Sequence, residues 1–147
     1  MAEFNLVAVG TGEIIRIGPI LMRVLEDGSR TDNRIGAAEF TVPAETAGPP
    51  PHVHRMHDET FLVISGTVRF MIGEDKIDAR AGDYVVAPIG AKHTFANPFA
   101  EPAVFFNSFT PAYYVNYFRD LARLVAAEGF SPEGVLRVMA RYATEPA

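Results

Sequence analysis

Up to about Phe109 the chain is a series of short runs rich in Val, Ile, Phe and Thr, broken at fairly regular spacing by Gly, Pro, Asp and Asn. This punctuation predicts strands at Ile14–Ile17, Ile20–Glu26, Gly36–Val42, His52–His54, Thr60–Ser65, Thr67–Ile72, Lys76–Ala79, Tyr84–Ala87, Lys92–Phe95 and Ala103–Phe109. Gly73-Glu74-Asp75 and Ala81-Gly82-Asp83 read as hairpin turns. Many short strands joined by turns point to an all-β sandwich or barrel.

After Phe109 the period changes. Tyr114, Phe118, Leu121, Leu124 and Val125 recur at steps of three and four, as on one face of a helix. Thr110 is the expected N-cap, with Pro111 at the first helical position and Gly129 as the stop. Ser131-Pro132-Glu133 repeats this logic for a second helix carrying Val135, Leu136, Met139 and Tyr142. The aromatic stripe reads as packing against the barrel or a subunit interface, not as a cofactor box. The expected organisation is one domain over 1–147, with a barrel core at about 14–109 and a helical extension at about 110–143.

The net charge is −5 and there is no Lys/Arg run, which argues against nucleic acid or an anionic membrane as a partner. The N-terminus has neither a basic segment nor a long apolar core, so a cytoplasmic protein is the expectation. There are no cysteines, so any metal must be held by nitrogen and oxygen.

Three of the four histidines fall within PPPHVHRMHDETFLVISG, at positions 52, 54 and 57. His52 and His54 are two apart, so on a strand both imidazoles project from one face. Glu59 follows with a carboxylate, but its odd offset from His54 requires a bend at Met56-His57-Asp58. Such a pair of histidines suits a divalent transition metal, though most such pairs are structural or lie on the surface. The fourth histidine changes the balance. His93 follows a strand and a Pro88-x-Gly90 turn, with Phe95 and Asn97 on its face, and a glycine at such a turn permits positive φ.

These two stretches resemble the motifs of the cupin superfamily. The first reads His52-x-His54, four residues, Glu59, six residues, Gly66, and the second has Gly82, Pro88, Gly90, His93 and Asn97 at every fixed position. A chance match to the second in one register is on the order of 10⁻⁶. The departure is at the start of the first motif, where Thr46 occupies the place of a glycine and Gly48 falls two residues late.

The resemblance implies a double-stranded β-helix (jelly-roll) barrel, with His52, His54, Glu59 and His93 holding one divalent transition metal (Fe, Ni, Mn, Co, Cu or Zn). It gives His57 no ligand role, which places it at the rim or on a loop surface. Strand alternation puts Phe40, Phe61, Val63, Phe95 and Phe106 on the pocket wall. The stretch around the histidines and the helical tail are similar to small bacterial single-barrel cupins related to quercetin 2,3-dioxygenases. That likeness implies a metal-dependent, dioxygenase-like enzyme for a small aromatic or enolic substrate, with Glu59 also taking a proton. An isomerase, lyase or cyclase, or a non-catalytic small-ligand binder, are the alternatives. The run Phe61-Leu62-Val63-Ile64 is apolar on both faces, so its outer side needs a cover. A homodimer is expected there, with the C-terminal helices as the competing cover.

Overall fold

A computed structural model describes residues 3–147. Strands form where the apolar and polar residues alternate, because successive side chains leave a strand on opposite faces. They are β1 (Ile14–Ile17), β2 (Ile20–Glu26), β3 (Gly36–Val42), β4 (His52–His54), β5 (Asp58–Ser65), β6 (Thr67–Ile72), β7 (Asp75–Arg80), β8 (Tyr84–Ala87), β9 (His93–Ala96) and β10 (Ala103–Thr110). The expected strands are all present, with ends shifted by one or two residues. Ile72 pairs with Asp75, so Gly73-Glu74 closes a two-residue hairpin with Gly73 at φ 62°.

The strands form two sheets, ordered β1-β2-β3-β10-β5-β8 and β11-β4-β9-β6-β7, where β11 is Thr144–Pro146. This is the jelly-roll arrangement, with the core between the sheets. Phe40, Phe70, Phe105 and Phe109 are buried there, and Phe40 stacks on Phe105 at 5.2 Å between ring centroids.

Two helices follow, α1 (Tyr114–Glu128) and α2 (Pro132–Arg141). Gly129 ends α1 at φ 79°, and the Ser131 hydroxyl accepts a hydrogen bond from the Gly134 amide to cap α2, both as expected. The start of α1 differs. Thr110 is the last residue of β10, Thr110–Pro111 is a cis peptide, and Tyr113 occupies the N-cap without a side-chain bond. The pairing of Thr110 with Asp58 extends the sheet past the apparent cap signal, because ladder hydrogen bonds satisfy the backbone that a cap would have served. Of the stripe expected on α2, Met139 is buried and Val135 and Tyr142 pack against the core, whereas Leu136 is exposed and Val138 is buried in its stead.

Strand β11 was not expected. Its three residues, Thr-Glu-Pro, have no strand signature, and the segment is held by pairing with β4, Thr144 opposite His54 and Pro146 opposite His52. The outer face of β5 and β8 also differs from one expectation. The α1 helix packs against β1 and β3, leaving Leu62, Ile64, Tyr84 and Val86 exposed. The C-terminal helices therefore do not cover that face.

Candidate metal centre

The antiparallel pairing of β4 with β9 sets His52 directly opposite His93, with ring centroids 4.5 Å apart. His54, two residues along the same face of β4, joins them at 4.7 Å from His52 and 5.0 Å from His93. Glu59 arrives from β5 in the other sheet, after a bend at Arg55-Met56 turns the chain across the barrel. The Pro88–Gly90 turn pins this crossing. Gly90, at φ 86°, donates its amide to the His54 carbonyl, and Ile89 donates its amide to the Asp58 carboxylate. All four side chains are buried, and one donor atom from each lies within 4.8 Å of the others.

The tautomers follow from the partners. Nδ1 of His52 faces the Pro50 carbonyl at 2.8 Å and Nδ1 of His93 faces the Ala91 carbonyl at 2.9 Å, so both nitrogens donate. Nδ1 of His54 lies 2.8 Å from the Thr144 hydroxyl, which itself donates to the Tyr142 carbonyl at 3.1 Å. Thr144 therefore accepts, and His54 also carries its proton on Nδ1. In the neutral rings all three Nε2 lone pairs are left turned inward. Those of His93 and His54 stand 2.7 and 3.1 Å from Glu59 Oε2. Lone pair against carboxylate at that range is repulsive unless a cation or a proton lies between them.

Without an ion, the electrostatics favour a proton between Glu59 and the rings it faces. Burial and the neighbouring His93 pull His52 down to about 4, so this ring stays neutral. Burial alone would push Glu59 up, but the hydrogen bonds and charge of His54 and His93 hold its carboxyl well below the usual range. His93 is raised: burial lowers it, and Glu59 more than offsets that. In their neutral form three imidazoles, with an ionised carboxylate, are the donor set of a divalent transition ion, and these residues fit one.

The family model of the cupin domain matches residues 38–109, which contain all four donors. The chain carries a cupin domain. Over 63 residues it is 35% identical to an uncharacterized protein of Aquifex aeolicus (strain VF5), covering 43% of this chain. That stretch is 51% of the Aquifex protein, so the match spans about half the length of the curated relative. Among solved structures, this cupin resembles a predicted oxalate decarboxylase of Thermotoga maritima, at TM-score 0.67 and 18% identity over 73% of this chain and 99% of that one. It also resembles a sugar phosphate isomerase from the cupin superfamily of Silicibacter pomeroyi, at TM-score 0.54 and 23% identity over 62% and 59% of the two chains. At these identities the likeness is one of fold.

Within the cupin domain, the departure at the first motif resolves through Gly48. A Cβ there would lie 1.8 Å from the Phe95 carbonyl oxygen, so the glycine permits the close approach of the chain to β9. Thr46 forms a bridge to Asn97 instead. Asn97 is fully buried, and its amide group donates to the carbonyls of Val42, Pro43 and Glu101. It holds the loops together and does not reach the metal centre.

The expected pocket residues divide. Phe61 is buried beside the centre, 6.4 Å from His93 between ring centroids. Phe40 and Phe95 pack on Phe105, and Phe40 also meets Phe118 of α1 at 5.5 Å. Val63 lies two residues beyond Phe61 on the same face, in the core. Phe106 is a correction. On β10 the inward residues are Ala103, Phe105, Asn107 and Phe109, so Phe106 points to the outer face.

His57 is a second correction. It is buried, not at a rim, with its ring centroid 4.0 Å from that of His54 and 4.4 Å from that of Tyr114. Its Nε2 is enclosed with no hydrogen-bond partner among the described residues, and burial lowers its pKa to about 3. The rings around it are His54 and Phe109 of the barrel and Tyr114 of the C-terminal segment. Tyr114 also packs edge-on against His54 at 4.4 Å and stacks on Tyr117 at 4.5 Å. Tyr114 stood in the predicted helical stripe, but nothing in its spacing marked the ring that would meet a ligand. Thr144 carried no signal at all.

Proposed function

We propose that this chain is a metal-dependent, dioxygenase-like cupin enzyme acting on a small aromatic or enolic substrate. One observation carries the reading: three inward Nε2 lone pairs and the Glu59 carboxylate converge among aromatic rings. A bound divalent transition ion would act there as a Lewis acid, lowering the pKa of a substrate hydroxyl. Four protein donors leave one or two positions for the substrate.

The chain's own groups complete the picture. Glu59 Oε2 takes the substrate's hydroxyl proton, since it is ionised and buried at the centre. Phe61, His57 and Tyr114 put aromatic rings beside the donors. The two cationic side chains that flank ligands in sequence, Arg55 and Lys92, are exposed, and Arg55 pairs with Glu145. The cavity beside His93 is lined by Met71 and Thr94 together with Lys76 and Lys92.

A second reading, a redox-neutral isomerase, lyase or cyclase, is favoured by Tyr114. Burial raises its pKa well above the usual value, so its hydroxyl stays protonated as a potential acid near the base Glu59. Oxygen uptake by Fe-, Ni-, Mn- and Co-loaded protein with quercetin and smaller enols decides between the two. Uptake with any of them supports the dioxygenase reading, and turnover without uptake overturns it. We also propose that a second copy covers Leu62, Ile64, Tyr84 and Val86. Sedimentation should then give a dimer that Ile64→Lys converts to monomer, and a monomeric wild type would refute it.

A further inference from the structure

The three histidines are held in three ways that are not equivalent. His52 and His93 each donate Nδ1–H to a carbonyl two residues back, Pro50 and Ala91. These buttresses come with the strand itself and persist wherever β4 and β9 persist. His54 is held by Thr144, ninety positions away. Thr144 is buried, and its hydroxyl is fixed as an acceptor because its proton goes to the Tyr142 carbonyl.

The segment that delivers Thr144 is secured on both sides. Arg55 donates its amide to the Ala143 carbonyl, Ala147 donates to the Pro51 carbonyl, and the Arg55 guanidinium pairs with Glu145 at 2.9 Å. The α2 helix sets its start, and α1 lays Tyr114 against the same His54 ring. From this arrangement we propose that Thr144 is a positioning residue of the metal centre, so that metal affinity and the docking of the C-terminal strand are linked.

The physical reason is the tautomer. With Thr144 in place, the proton of His54 sits on Nδ1 and the Nε2 lone pair faces Glu59 and the ion. Without it, the neutral ring gains by placing its proton on Nε2, where Glu59 Oε2 waits at 3.1 Å. That tautomer cannot ligate through Nε2. Linkage then runs both ways: an ion that holds His54 in the ligating form also favours the docked strand. The inference rests on the reading of these donors as a metal centre.

Co²⁺ titration against a competing chelator tests it, on wild type, Thr144→Val, Thr144→Ser, Glu145→Gln and the double variant His52→Ala/His93→Ala. Removing such a partner weakens metal binding by about 10- to 100-fold. Thr144→Val should show that loss, while Thr144→Ser restores the affinity and Glu145→Gln, which cuts only the exposed pair beside it, keeps it. A mere packing role predicts the reverse, with Thr144→Val like wild type and Thr144→Ser, which lacks the methyl, weakened, and that result overturns the proposal. If wild type binds no better than His52→Ala/His93→Ala, the metal reading itself falls and takes this proposal with it. Amide exchange at Ala147 in wild type provides a measurement without substitution. Slower exchange on Co²⁺ binding supports the linkage, and unchanged exchange overturns it even if Thr144→Val fails to fold.

Discussion

The barrel and the segment after Thr110 serve the same centre by different means. The barrel supplies all four donors and buttresses two of the histidines from residues two positions away. The C-terminal segment supplies no donor, yet it encloses His54 and His57 with Tyr114 and holds His54 through Thr144. Donors and local buttresses are properties of a strand pair. Enclosure and the tautomer of His54 are properties of how the chain's end returns to the sheet. Loss of a barrel residue should therefore remove the site or the fold, whereas changes in the C-terminal segment should tune it.

The largest contrast is expected from His93→Ala. It deletes an inward Nε2 and the partner of Glu59, and stoichiometric metal should be lost on purification, as read by elemental analysis. A metal content equal to wild type would remove His93 from the ligand set. Next comes Phe105→Ala in the barrel, where Phe40, Phe61, Phe70 and Phe95 all meet the missing ring. Denaturant unfolding should show a loss of about 3–5 kcal/mol. Val138→Ala, buried on α2, should cost only about 2 kcal/mol for two lost carbon groups and their packing. Equal losses would show that the two regions unfold as one unit with equal packing.

Acid should weaken the metal-free protein in the window set by the buried histidines. His52 lies at about 4 when folded, below its usual 6.5, so between those values the unfolded chain binds the extra proton. Its contribution is complete above pH 6.5 and falls as the pH drops towards 4, by on the order of 3 kcal/mol. His57, at about 3, and Glu59, also lowered, act in the same sense. His93 is raised and acts oppositely, its share being present in acid and lost as pH rises through its folded value. Thermal melts from pH 7 to 4 should fall monotonically. A flat profile would place these rings in water.

The smallest effect expected is a gain. Replacing the enclosed His57 by Phe removes a buried nitrogen without a partner from among His54, Tyr114 and Phe109 rings. Stability should rise by about 1 kcal/mol. A loss of several kcal/mol would mean that the Nε2 atom has a partner in solution.

Much of the barrel was legible because its strands are written in a period of two with turn residues at the breaks. The donors were legible because His52, His54, Glu59 and His93 stand at positions of the two motifs that resemble those of cupins. Phe106 misled because a strand of consecutive apolar residues, Val104-Phe105-Phe106, carries no alternation to say which ring faces in. Thr110 misled because Thr-Pro is a cap signal only if the preceding strand has already ended, and here β5 holds it one residue longer.

The sequence by itself determined the strand alternation, the turns at the breaks and the same-face placement of His52 and His54. These are local consequences of backbone geometry and residue size. Only the tertiary structure decided that His57 is enclosed, that Tyr114 lies on His54, and that Thr144 sets its proton. Each depends on contacts between positions far apart in the chain, and the three-residue strand that carries Thr144 exists only because β4 offers it an edge to pair with.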